Sequence, residues 1–278
     1  MKASEPLHIL LTNDDGHEAP GIRALQRVLK KVGHKVSMVA PSTQQSATGM
    51  SVTSRRNLAL EQIEENSWHL DGQPADTVLV ALRHLLEDNP PDLVLSGINF
   101  GPNVGTALYM SGTIGAAIMA SLYGVPSIAI SAGMRFDEVG TQYPSTFDIL
   151  DPAAEFASSV VDSLWSSREE NGRLLPENIL LSINYPALPR HLIKGVLHPE
   201  ISGKHLIEMG YRRCDETGHV VPGFYSRVDP EQPHKEDHDV RAHLEGYITI
   251  SAIKPSWNPP ANQAEELRNR LDTLGLDY

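Results

Sequence analysis

Short apolar runs along the chain repeatedly end in clusters of polar residues and glycine. His8 to Thr12 (HILLT) stops abruptly at Asn13-Asp14-Asp15-Gly16, the signature of a buried parallel strand that opens into a loop. Pro20 then suits the first turn of a helix. Ile22, Leu25, Val28, Leu29 and Val32 recur at helical spacing until Gly33 stops it. Val36 to Ala40 reads as a second strand, completing a β-α-β opening. Pro41 to Ser54, rich in Ser, Thr, Gln and Gly, reads as a long loop leading into short strands around Ser51-Val52-Thr53 and Trp68-His69-Leu70.

The alternation continues. Asp76 to Leu86 reads as a helix, Leu93 to Ser96 as a buried strand, and Gly97 to Gly105 as an Asn/Gly loop. Ser111 to Tyr123 is an apolar, Ala-rich helix, Pro126 to Ser131 a strand, Thr146 to Trp165 a helix, and Ile179 to Asn184 another strand. Strands alternating with helices predict an α/β fold, a doubly wound, mostly parallel sheet with helices on both faces over residues 1–185. Ligands of such sheets bind at the carboxyl ends of the strands. From Tyr185 to Pro260 the pattern turns irregular, with one alternating strand at Tyr247 to Ile253, and a helix follows from Ala261 to Leu274. Residues 186–278 are therefore expected to form a β-rich extension with a C-terminal helix that serves oligomerisation.

Composition narrows the function. The 278 residues are 40% hydrophobic and 21% charged, a globular mixture without the depletion of a disordered chain. The 23 Lys and Arg against 35 Asp and Glu leave a formal charge of −12, which argues against nucleic-acid polymers as partners. Cys214 stands alone, so no internal disulfide forms. No basic start with an apolar run and a small-residue cleavage site opens the sequence, and no stretch approaches the roughly 18–20 apolar residues that span a bilayer. A cytoplasmic protein without membrane residence is expected.

Asp14 and Asp15 adjoin at the end of the first strand, where two carboxylates repel one another unless a cation neutralises them. For an isolated Asp-Asp-Gly, a capping Asp beside a turn Asp is the commoner explanation. Their position at a β-α switch favours the cation, and hard oxygens without nearby Cys or His select Mg²⁺ or Mn²⁺ over Zn²⁺. The segment Ser96 to Gly105 lies at the same edge, and there Asn99 offers a neutral metal ligand and Asn103 further amide atoms. The same segment also reads as a plain Asn/Gly turn. Ser111-Gly112-Thr113 opens a helix whose free N–H groups form either a phosphate cradle or an ordinary cap. Ser46, in the Gln-rich loop, is a further candidate for the cation's shell or a solvated serine.

Other signals carry less. His234, His238 and His243 have neither a zincin helix motif nor paired cysteines beside them and read as a solvated charged loop. The dinucleotide fingerprint, the Walker loop and G-x-S-x-G are all missing.

In combination, order and spacing, ILLTNDDGHEAPGI, SGINFGPNVG, YMSGTIGAA and EGYITISAI resemble the signature segments of the SurE family, metal-dependent nucleotidases also called survival protein E. The resemblance covers most of the chain. It implies a Rossmann-like core with a β-rich C-terminal extension exchanged between subunits, in a homodimer or homotetramer. The implied activity is hydrolysis of nucleoside 5′- and 3′-monophosphates with one divalent cation per subunit, Mg²⁺ or Mn²⁺. Carried over singly, Asp14 and Asp15 match the paired metal carboxylates and are the candidate catalytic residues that orient the attacking water, Asn99 matches the metal-binding Asn, and Ser46 the loop serine. Asn103, Ser111, Gly112 and Thr113 match substrate-side positions. The family's loop usually reads Arg-Asn-x-Ser-Gly, whereas here it is Thr43-Gln44-Gln45-Ser46-Ala47, and His17-Glu18 replaces an apolar-His pair. The alternatives are a non-catalytic nucleotide sensor, a phosphatase acting mainly on short polyphosphate, and an aspartyl-phosphate enzyme. The last normally needs two acids separated by one residue.

Overall fold

A computed structural model describes residues 6–138, 141–214, 218–226, 238–256, 258 and 261–271. The first strand, β1 (His8–Thr12), is buried at every position because both of its faces are covered. Ile9 and Leu11 join a cluster with Ile22, Leu25 and Leu29 of α1 (Pro20–Lys31) and Ala153, Ala157 and Val161 of α5 (Leu150–Ser166). Leu10 turns the other way, toward Val78 of α2 (Pro74–Val80) and Ala116 and Ala120 of α3 (Gly112–Leu122). The period of two along the strand thus feeds two cores.

The other strands are β2 (Lys35–Pro41), β3 (Leu60–Glu64), β4 (Ser67–Leu70), β5 (Leu93–Phe100), β6 (Ser127–Ala132), β7 (Leu180–Tyr185), β8 (Val196–Leu197), β9 (Ile207–Arg213), β10 (Val220–Ser226) and β11 (Ile248–Ile253). Two short helices, α4 (Pro144–Asp148) and α6 (Asp239–Leu244), and the terminal α7 (Ala261–Leu271) complete the elements. The main sheet runs β3-β4-β2-β1-β5-β6-β7-β11-β8, and from β4 to β7 all neighbours are parallel. The winding reverses between β1 and β5, the switch point where a crevice opens beyond the carboxyl ends of the strands. The α/β, doubly wound, mostly parallel architecture is as the alternating pattern predicts.

Several local expectations change. Ser51 to Thr53 is not a strand; the edge hairpin is β3–β4, turned at Asn66 with φ of 58°, and the Thr53 N–H is held by the Asp76 carboxylate at 2.9 Å. Asp76 also accepts the Gln73 N–H at 2.8 Å, so the second helix starts at Pro74, and it ends in a π-helical turn over Ala81–Leu85. The helix expected from Thr146 to Trp165 divides into α4 and α5 at Ile149, because Pro152 has no N–H to give to the Asp148 carbonyl. The Asn/Gly stretch after Ser96 does not leave the sheet at once: β5 continues to Phe100 through a bulge between Ser96 and Asn99.

Strands β11 and β8, from the part of the chain expected to form the extension, hydrogen-bond into the main sheet. Strand β11 runs antiparallel to β7, while β9 and β10 pair apart as a two-stranded ribbon. Helix α7 is helical to Leu271, and the predicted end at Leu274 lies outside the described residues. No helix among the described residues is long and apolar enough to cross a membrane.

Candidate functional site

The turn after β1 builds the site. The Asn13 amide donates to the Gly16 carbonyl at 2.8 Å, and Gly16 adopts φ of 99°, which a side chain would resist, so the chain doubles back within four residues. Asp14 and Asp15 are thereby aimed into the crevice between β1 and β5. Asp14 is buried, and its Oδ1 accepts the Thr113 hydroxyl at 2.6 Å from α3. Asp15 Oδ2 accepts the Phe100 N–H at 2.9 Å from the end of β5. The two acids are consecutive in sequence, yet each is held by a different wall of the crevice.

Burial pushes the Asp14 carboxyl up to about 7; the adjoining Asp15 charge adds to this, while the Thr113 hydroxyl and N–H pull it down. Burial raises Asp15 as well, opposed by the Phe100 N–H. Two adjoining carboxyls whose charged forms burial disfavours are what a bound cation would reconcile. The oxygen donors nearby fit a hard divalent ion. Asn13 Oδ1, just past the end of β1, and Ser96 Oγ, within β5 and paired with Thr12, are buried without a hydrogen-bond partner among the described residues. No group of three or more His, Cys, Asp and Glu side chains is gathered for a metal among the described residues, so the ion would rest on the acid pair plus amide and hydroxyl oxygens.

Helix α3 points its N-terminus at this pair. A Cβ at Gly112 would lie 2.9 Å from the Asp14 Cβ and 3.1 Å from its Oδ2, so only glycine lets the helix dock this closely. Ser111 is the N-cap, its Oγ accepting the Ile114 N–H at 3.1 Å, and Thr113 is fully buried against Asp14. Gly112 and Thr113 therefore bring the positive end of the helix to the acids.

The remaining candidates are placed less directly. The Asn99 amide donates to the Gly101 carbonyl at 2.6 Å, one residue before the Phe100 N–H that binds Asp15, and leaves its side-chain oxygen for a ligand. Asn103 is buried and turned inward: its amide donates to Ser131 Oγ at 2.9 Å, while its backbone exchanges hydrogen bonds with the Asn184 side chain at 2.8 and 3.1 Å. Ser46 is exposed and accepts from Gln44 Nε2 at 3.0 Å. Its loop is nonetheless tied to the site, since the Gln45 N–H donates to the Asp14 carbonyl at 2.7 Å. The structure thus gathers Asp14, Asp15, Gly112 and Thr113, sets Asn99 beside them, and leaves the Ser46 hydroxyl turned to its own loop.

Sequence reasoning passed over Asn13, Ser131 and Asn184. Each is the polar residue at the carboxyl end of an apolar strand, the same signal that singled out Asp14 and Asp15. It also gave no hint of Asp239. That buried carboxylate accepts the N–H groups of Gly105 at 2.7 Å, Ser202 at 2.8 Å and Val240 at 2.8 Å, fastening the segment after Lys194 to the loop that carries Asn103. Of the three histidines, His243 is buried, with its ring held neutral by a pKa pushed down to about 4, and is not a solvated loop residue; His238 precedes α6, and His234 lies outside the described residues.

Comparison with known proteins identifies the family of the chain. The family described as survival protein SurE matches residues 9–208. A 5′-nucleotidase SurE of Carboxydothermus hydrogenoformans is 40% identical over 218 residues, covering 76% of this chain and 77% of that protein. A 5′-nucleotidase SurE of Thermosynechococcus vestitus is 35% identical over 258 residues, covering 89% and 90%. The crystal structure of the SurE protein from Aquifex aeolicus superposes with a TM-score of 0.77 at 29% identity, covering 95% of this chain and 99% of that one. With its acid pair at the β1/β5 switch point and these matches along most of its length, the chain belongs to the SurE family.

Proposed function

We propose that the protein is a phosphomonoesterase that hydrolyses nucleoside 5′- and 3′-monophosphates to nucleoside and phosphate with the help of one Mg²⁺ or Mn²⁺ ion per subunit. The observation that carries the reading is the Asp14–Asp15 pair facing the N-terminus of α3 in one crevice. The relatives' name, 5′-nucleotidase, fits it. Asp14, Asp15 and Asn99 would hold the ion, with Ser46 joining if its loop turns. When bound, the ion would supply positive charge to the phosphoryl group and acidify a water molecule. The chain's own part is to orient and neutralise. Thr113 fixes Asp14 and Phe100 N–H fixes Asp15, so that a carboxylate oxygen can align the attacking water behind the phosphorus. The first N–H groups of α3 face the anion, whose approach to a chain of net charge −12 needs such a local positive end.

Chelation with EDTA is expected to abolish phosphatase activity, and Mn²⁺ or Mg²⁺ to restore it, in an assay of nucleoside monophosphates. Undiminished turnover by metal-free enzyme would overturn the metal-dependent reading, and absence of turnover with any divalent ion would leave a nucleotide sensor instead.

Ser111→Ala separates the cradle from the ion. Loss of the cap is expected to cost about 1 kcal/mol, a fall in Tm of about 2–4 °C, and to loosen the first turn of α3. KM and the Kd for inorganic phosphate should rise while the metal requirement stays within about twofold of wild type. An equal shift in the metal titration would show that the two functions are not separable at this helix end.

A further inference from the structure

We propose that Tyr109 is the residue that receives the nucleobase of the substrate. The inference rests on the nucleotidase reading above and adds a base-recognition surface to it.

A 3-10 turn, Gly105–Tyr109, runs directly into the Ser111 cap of α3. Tyr109 ends that turn with 78% of its surface exposed, the most exposed large apolar side chain among the described residues. No other aromatic ring stacks on it among the described residues. Met110 beside it is 37% exposed, and so is Met50 on the neighbouring loop. The two segments are fastened together: the Gly49 N–H donates to the Met110 carbonyl at 3.0 Å, and a Cβ at Gly49 would lie 3.4 Å from the Tyr109 carbonyl. Gly49 in turn presses on the helix, since a Cβ at Gly115 would lie 2.4 Å from its carbonyl oxygen.

The apolar rim therefore sits on the lip of the phosphate cradle. Tyr109 stands two positions before Ser111, with Met110 between them, and two residues of chain span at most about 7 Å. In a nucleoside monophosphate the base stands off from the phosphate by the width of the sugar, a spacing of the same order. A phosphate at the N-terminus of α3 thus puts the base within reach of an exposed aromatic face. Stacking on such a face is indifferent to base identity, because every base has a π surface. Met50 and Met110 offer soft, adaptable contacts to its edges. The predicted ligand class is a phosphate ester carrying a planar ring on the sugar, with weak discrimination among bases.

The test compares nucleoside 5′-monophosphates with ribose 5-phosphate, which has the same phosphate and sugar and no base, in enzyme supplied with Mn²⁺ or Mg²⁺. The wild type should prefer the nucleotides by about tenfold in kcat/KM. Tyr109→Ala should remove that preference by raising KM for nucleotides about tenfold, leave ribose 5-phosphate within about twofold, and leave the mass of the assembly in light scattering unchanged. Tyr109→Phe, which keeps the ring, should retain the preference. An equal loss on both substrates would make Tyr109 structural, and a change in assembly mass would assign it to contact with a second copy; either overturns the proposal while the phosphatase reading stands. A wild type that turns over ribose 5-phosphate as well as nucleotides also overturns it. Failure to hydrolyse any of these esters would overturn the phosphatase reading and the proposal together.

Discussion

Replacing Asp14 or Asp15 with Asn is expected to lower turnover by about 100-fold or more at a fixed metal concentration, with metal affinity falling in parallel. Each change removes one of two formal charges facing the same crevice while keeping the shape of the side chain. The folded state should survive and in one condition improve. The Asp14 carboxyl is pushed up to about 7 by burial and by the Asp15 charge. A group whose folded pKa lies above its unfolded value contributes stability at low pH and loses it as pH rises through the folded pKa. Metal-free wild type should therefore lose about 1.4 kcal/mol from this group between pH 6 and pH 8, and Asp14→Asn should not. Melting curves of both proteins in EDTA at the two pH values isolate this, since other titrating groups are common to the pair. If Asp14→Asn unfolds at a lower temperature than wild type at pH 8, or keeps wild-type turnover and metal response, then the acids are structural and the metal-site argument fails.

Gly97→Ala should be the most damaging single methyl in the sheet. Gly97 has φ of 135°, a region that L-residues rarely enter, and an added Cβ would lie 2.2 Å from the Ile130 carbonyl oxygen of β6. Backbone strain and the forced separation of β5 from β6 together are expected to cost about 3–6 kcal/mol, a fall in Tm of about 10 °C or more. The displaced strand carries Asn99 and the Phe100 N–H that binds Asp15, so any protein that remains folded should also bind metal more weakly. Gly203→Ala, where nothing lies within 4 Å, is the matching control and should melt within about 2 °C of wild type. A Gly97→Ala protein that melts like the control would show that β5 is free to shift here, and the rigid placement of Asn99 and Asp15 would have to be given up.

How far the site was visible beforehand depends on the distance along the chain between the groups that meet. Asp14 and Asp15 were visible because their chemistry is local: an apolar run ends and two carboxylates follow at once. The α3 cap was visible for the same reason, since Ser111 and the Ile114 N–H it accepts are three residues apart. Their meeting was not visible, because Asp14 and Thr113 are 99 residues apart and Asp15 and Phe100 are 85 apart. Nor was the inward turn of Asn103, which depends on Ser131 and Asn184 standing at the ends of the adjoining strands β6 and β7. Its sequence context, flanked by Gly101 and Gly105, reads as a free turn from which an amide can face anywhere.

By itself the sequence determined the elements whose periodicity is strong. The runs at His8–Thr12, Ser127–Ala132 and Leu180–Tyr185 form strands because a short apolar segment between breakers has little choice once helices cover both faces. It also determined the acid pair and the helix that opens at Ser111. Tertiary structure alone decided that β5 runs on through Gly97 to Asn99, where sheet pairing with β6 overrides the Asn/Gly loop signal. It alone placed β11 beside β7 and set Asp239 to grip Gly105 across 134 residues. These outcomes follow from which buried surfaces and backbone groups find partners across the chain, a condition satisfied only when the whole fold has closed, and so one that no local pattern of residues records.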